Sequence, residues 1–215
     1  DGVATHPETG EVLYRESHRV TLRAGQPHQA ETIYTSPRGD RWAVLTTHYT
    51  TATDRYTYRF QDFRTGKVHG VKLDAQGRPV MFSRSHADEP LEEERYEPGK
   101  TSVVSVAGQG FHWMLREQIL AGQLPPGADL EFRLLLPPLS DYFTFQVQAL
   151  GEEQGKVRLN VDLDNFFLRW LAKAGMGVVY ERHTGRLLEY VGPSSMTDDG
   201  GDLIDNVKIV YRYTG

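Results

Sequence analysis

Eight histidines are the side chains of this chain best suited to chemistry, and their spacing argues against a metal centre. His6, His18, His28, His48, His69, His86, His112 and His183 contain no pair four residues apart on a helix and no HExxH motif. Those are the patterns that set two imidazoles on one side of a zinc ion. His86 and Asp88 stand two apart, which on a strand would present both to one face, but they border an acidic stretch. Surface histidine is the expectation, with no metal and no cofactor.

The other reactive patterns have plainer explanations. Serine hydrolysis needs its nucleophile on a sharp turn, and no GxSxG occurs; Ser194-Ser195 follows a glycine-proline pair and reads as a turn. Asp162/Asp164 and Asp198/Asp199 are close in sequence, but acid–base pairs work only where separate environments split their pKa values. Asp164 also suits the cap of a helix. Ala107-Gly108-Gln109-Gly110 lacks the third glycine and the lysine of a phosphate loop, so it reads as a helix lead-in. No catalytic constellation emerges.

What stands out is an excess of large apolar residues on two short helices. In GFHWMLREQILAGQ, Phe111, Met114, Leu115 and Ile119 share one helical face and Gly122 supplies a stop. Trp113 falls off that stripe. A second helix, capped by Asp164 or Asn165, carries Phe166, Phe167, Trp170, Leu171 and Ala174 and ends at Gly175. Such stripes are core in most proteins. The functional reading is a groove in an open sheet, lined by Phe111, Trp113, Met114, Leu115, Phe167, Trp170 and Leu171, that takes an acyl chain.

The elements that would position these helices are strands. Residues 11 to 23 alternate, with Val12, Tyr14, Val20 and Leu22 in one register. Pro37-Arg38-Gly39-Asp40 predicts a hairpin turn, and Arg64-Thr65-Gly66-Lys67 and Asp74-Ala75-Gln76-Gly77 predict two more up to about Arg84. Residues 88 to 100, acidic and proline-bounded, read as a solvated loop. Residues 130 to 149 are extended around a Pro137-Pro138 break, and KVRLNVDL follows as a strand. The tail gives GVVYER, a His183-Thr184-Gly185 turn, RLLEYVG, and NVKIVYRY with Val207, Ile209, Tyr211 and Tyr213 alternating against polar neighbours.

The totals narrow the class. With 215 residues, 39% of them hydrophobic and 25% charged, the chain suits one antiparallel domain spanning 1–215. No apolar run approaches the roughly 20 residues of a membrane helix. A net charge of −5, with Lys and Arg scattered, opposes nucleic-acid binding. The absence of cysteine removes disulfides and thiolate chemistry. The chain opens at Asp1 rather than Met, as an exported and processed protein would, and the same processing would remove a lipid-bearing segment that tethers it to a membrane.

YTSPRGDRWA, FQDFRTGKVHG, GFHWMLREQILAGQ with FRLLLPPLSDYFTFQV, and GRLLEYVGPSSMTDDGGDLIDNVKIVYRY together resemble a family of exported proteobacterial proteins that carries no assigned activity. The resemblance covers nearly the whole chain and implies a periplasmic location. In element order the chain is also similar to the half-barrel envelope proteins that carry lipoproteins or bind lipid. That likeness implies a curved antiparallel sheet wrapped around short helices. The expectation is a mainly β half-barrel that binds an apolar or amphipathic ligand such as lipid, without catalysis. The alternative is a structural or interaction protein of the envelope, with a closed core and an envelope protein as partner.

Overall fold

A computed structural model of the chain describes residues 1–49, 56–97, 103–163, 175–198 and 203–214. Among them the period-two patterning becomes fifteen strands. The first eight are β1 (Gly2–Thr5), β2 (Val12–Arg23), β3 (Gln26–Thr35), β4 (Arg41–Tyr49), β5 (Tyr56–Asp62), β6 (Val68–Leu73), β7 (Pro79–Arg84) and β8 (Glu92–Arg95). After β9 (Val104–Ala107) comes the helix α1 (Gly110–Leu120). Then follow β10 (Asp129–Leu136), a 3-10 turn at Pro137–Leu139, β11 (Asp141–Glu153), β12 (Lys156–Leu163), β13 (Met176–Glu181), β14 (Leu187–Gly192) and β15 (Val207–Tyr211). The second helix expected from Asp164 to its stop at Gly175, and with it Phe166, Phe167, Trp170, Leu171 and Ala174, falls on residues 164–174, which are outside those described.

The chain forms two compact units. One comprises Asp1–Glu16, His112–Glu131 and Thr144–Gly215. Its hydrogen-bonded neighbours run β2–β1–β15–β14–β13–β12–β11. Each of these pairs is antiparallel. The β11–β12 hairpin turns through Gln154 and Gly155, both at positive φ (52° and 73°). That geometry suits the right-handed twist of paired strands. Tyr14, Leu115, Ile119, Leu159, Tyr180, Met196 and Val207 fill the core of this unit.

Helix α1 is held against the β13–β14 hairpin. Its end is a Schellman motif: Gly122, at φ 72°, donates its N–H to the Ile119 carbonyl at 3.0 Å, and Gln123 donates to Gln118 at 2.9 Å. Arg182 donates to the Ile119 carbonyl as well, at 2.5 Å. At the other end, the His112 ring stacks on Tyr180 of β13 with centroids 5.6 Å apart.

The other unit comprises Ser17–Phe111 and Phe132–Phe143. It contains the meander β8–β7–β6–β5–β4–β3–β2, and β9 pairs parallel with β10. Three turns close its hairpins. Ser36 donates to the Asp40 carbonyl, Asp62 to Lys67 and Asp74 to Arg78. Between β5 and β6 the strands approach so closely that a Cβ on Gly70 would lie 2.0 Å from the Tyr58 carbonyl oxygen. Only glycine fits there. Strands β2, β10 and β11 contribute residues to both units, and within each unit the strand pairing is mainly antiparallel.

One expectation changes, and two further features lie beyond what the patterning shows. Residues 88 to 100 contain the strand β8, paired to β7 and fully exposed, where a loop was expected. An edge strand is held by backbone bonds on one side and needs no apolar side chains, so its Glu-rich sequence hides it. β1 carries too few residues for a pattern, yet it pairs on both sides. In β2, Val20 and Leu22 are 41% and 59% exposed although they share the register of buried Tyr14. Alternation tells which residues share a face, not whether anything covers it.

Candidate functional site

The exposed side of α1 is the candidate site. Met114, Leu115 and Ile119 of the apolar stripe are buried, and Phe111 is half-buried. Trp113, Arg116 and Leu120 form a second stripe at spacings of three and four, which places them on one face of the helix. Trp113 is half-buried and Leu120 is 44% exposed. The Trp113 ring meets His112 edge-on at 5.3 Å and carries the Arg116 guanidinium over its face, also at 5.3 Å.

The β13–β14 turn borders this stripe. Gly185, at φ 63°, is the residue that lets the helix approach: a Cβ there would sit 2.6 Å from Arg116 Cγ and 3.2 Å from Leu120 Cγ. Arg186 follows and places its guanidinium 4.9 Å from the centre of the Tyr213 ring. Tyr213 is 45% exposed and donates its hydroxyl to the Leu187 carbonyl at 2.8 Å. Burial raises the Tyr213 phenol above its usual range, opposed by Arg186 and Arg116, whose charges draw it down. An aromatic and aliphatic surface with two guanidinium groups laid across it can hold the boundary of an amphipathic molecule.

Trp113, Met114 and Leu115 thus lie in one place, with Met114 and Leu115 beneath and Trp113 outside. Arg116, Leu120, Arg186 and Tyr213 were missed by the sequence reading. For Arg116 and Leu120 the signal was present, since they continue the stripe begun by Trp113. Arg186 and Tyr213 come from turns and strand ends that no periodicity connects to the helix.

Two polar clusters lie elsewhere. In the first unit, Glu16 is buried and accepts the Tyr211 hydroxyl at 3.3 Å across β1. Gly2 makes this possible, because a Cβ there would meet Tyr211 at 2.9 Å and Glu16 Oε2 at 3.2 Å. Tyr14 shares a hydrogen bond of 2.8 Å with Ser194, whose hydroxyl also accepts the Met196 N–H at 3.0 Å. Burial, and secondarily the charge of Glu16, raises the phenols of Tyr14 and Tyr190. Ser194 therefore serves its turn, as expected, and also ties that turn to β2.

In the second unit the surface reading of the histidines fails for His69, which is only 8% exposed. Its ring stacks on Phe60 at 4.8 Å and its Nδ1 shares a hydrogen bond of 3.2 Å with Tyr58. Burial, aided by Lys67, lowers its pKa to about 3, so it is neutral. His28, His48, His86 and His183 are exposed. Nearby, Thr32 bonds both His18, at 2.8 Å, and Gln109, at 2.7 Å, whereas the buried Thr47 hydroxyl has no partner among the described residues. Gly108 lies under the Tyr58 ring as part of the helix lead-in, not in a phosphate loop.

Among the described residues no three His, Asp or Glu side chains converge on a metal site, and no helix is long and apolar enough to cross a membrane. His86 and Asp88 lie in the turn after β7, where Glu89 accepts the backbone N–H of Ser85 and His86. Asp164 and Asp199 fall outside the described residues. Comparison with family models, with curated proteins and with solved structures finds no match to this chain.

Proposed function

We propose that this is an exported, periplasmic protein that binds an apolar or amphipathic ligand, lipid being the leading class, without chemistry. The single observation that carries the reading is the second stripe of α1. A helix needs one apolar face to join a core, and Met114, Leu115 and Ile119 already provide it. Half-buried Trp113 and exposed Leu120 extend that apolar surface outward, and removing what remains of it from water is favourable for an apolar ligand. The compartment rests on the resemblance to exported proteins.

Native mass spectrometry of protein purified gently from its host tests the reading. A co-purified small-molecule mass that is lost from Trp113→Glu supports it. A bare polypeptide mass, unchanged after incubation with fatty acids, opposes it.

The second reading, an interaction protein of the envelope, is favoured by β8. This strand ends the sheet order and exposes Glu92, Glu93 and Glu94. An open edge of this kind accepts an extended peptide as a further strand.

A further inference from the structure

Arg116 and Arg186 separate the helix face from an ordinary apolar patch. Among the described residues neither is in an ion pair with a carboxylate. Arg182 of the same hairpin is engaged: it reaches Glu152 at 3.7 Å and the Ile119 carbonyl. Glu181, whose charge acts on Tyr213, accepts the Thr184 hydroxyl. The two remaining guanidinium groups rest instead on the rings of Trp113 and Tyr213. Stacking on a ring uses a guanidinium's flat face and leaves its N–H edge free. The turn glycine, Gly185, brings them to the same place, because its missing side chain is where the Arg116 stem lies and Arg186 is the next residue.

Resting on the ligand-binding reading, we propose that this face recognises the phosphate of an anionic phospholipid presented at a bilayer surface. Arg116 and Arg186 offer planar donor forks that match phosphate oxygens. Trp113 and Tyr213 are the two residue types that settle at the headgroup level, one end apolar and the other polar, and Leu120 enters beyond them. The chain carries a net charge of −5, so two arginines without a carboxylate partner among the described residues, beside half-buried Trp113 and exposed Tyr213, form a local positive patch that favours an anionic partner. The bilayer, rather than a free phosphate, is the occupant because free phosphate would make no use of Trp113, Leu120 and Tyr213.

Vesicle co-sedimentation of the full chain tests this. Phosphatidylcholine vesicles are compared with vesicles that also contain phosphatidylglycerol, for the wild type and for Arg116→Gln/Arg186→Gln, and fatty-acid binding is measured in parallel. The expected result is at least tenfold stronger binding to the anionic vesicles, weakened by salt, lost in the double glutamine variant and only partly kept in Arg116→Lys/Arg186→Lys, which retains the charge without the planar fork. Thermal melting checks that the surface variants fold. Equal binding to both vesicle types, or wild-type binding by the glutamine variant, overturns the proposal, as does displacement of vesicles by inorganic phosphate where sodium chloride at the same ionic strength leaves them bound. Fatty-acid binding without any vesicle binding overturns this proposal and leaves the ligand reading standing. Failure to bind fatty acid and vesicle alike removes both.

Discussion

Acid should loosen the second unit through one residue, His69. Its imidazole is buried between Phe60 and Tyr58, and burial holds its pKa at about 3. In the unfolded chain the same group has a pKa of roughly 6.5. Because the folded value is the lower one, the stabilisation is fully present above the unfolded pKa and is lost as pH falls toward the folded one. Between pH 7 and pH 5 the unfolded imidazole goes from about a quarter to almost fully protonated while the folded one stays neutral, a linkage of about 2 kcal/mol. The assay is urea denaturation at pH 7 and pH 5 for the wild type and for His69→Gln and His69→Phe, the latter keeping a ring against Phe60. Both variants should be less stable at pH 7, yet each should lose about 2 kcal/mol less than the wild type on going to pH 5. Keeping to pH 5 and above avoids carboxylates such as Asp74, which the Arg78 backbone N–H, above all, holds below the usual range. If wild type and variants lose the same stability, His69 is not the buried neutral group that the fold describes.

Other residues give sharper single numbers. Leu115→Ala should cost about 2–5 kcal/mol, since its side chain is fully buried under α1, while Trp113→Ala should cost clearly less; chemical denaturation of the pair reads the difference. Thr47→Val should be neutral or stabilising by up to about 1 kcal/mol, because it removes a buried hydroxyl without a partner among the described residues, and a lower melting temperature would show that the hydroxyl is bonded. Gly70→Ala should destabilise by about 2–3 kcal/mol or fail to fold, because its Cβ meets the backbone of the neighbouring strand, and a wild-type melt would refute the β5–β6 approach.

The sequence made the strands and the helix legible wherever side chains alternate in burial. The tail shows this best: Val207 and Ile209 are buried in β15, as their alternation required, and the His183-Thr184-Gly185 turn closes the β13–β14 hairpin. The parts that stayed hidden owe their structure to backbone pairing or distant partners. β8 is charged at every position and is a strand only because β7 supplies hydrogen bonds to it. His69 read as surface because polar residue types usually are, whereas in β6 four consecutive residues, Val68 to Val71, are covered. Along α1 the 3.6-residue period separated Trp113 from the core stripe. It could not show that Arg116 caps the ring, or that Gly185 and Arg186 arrive from a hairpin some seventy residues later in the chain.

The central claim is that the Trp113 face of α1 holds an apolar chain, and tryptophan emission during fatty-acid titration tests it most directly. Trp42 and Trp170 also emit, so the reading is the difference between the wild type and Trp113→Phe. Each methylene removed from water contributes about 0.8 kcal/mol, so affinity should climb with chain length until the surface is covered and then level off. The expected record is a saturable shift that grows with chain length in the wild type and disappears in Trp113→Phe. An emission spectrum that no fatty acid of any length alters, or a shift that persists undiminished without Trp113, would contradict it.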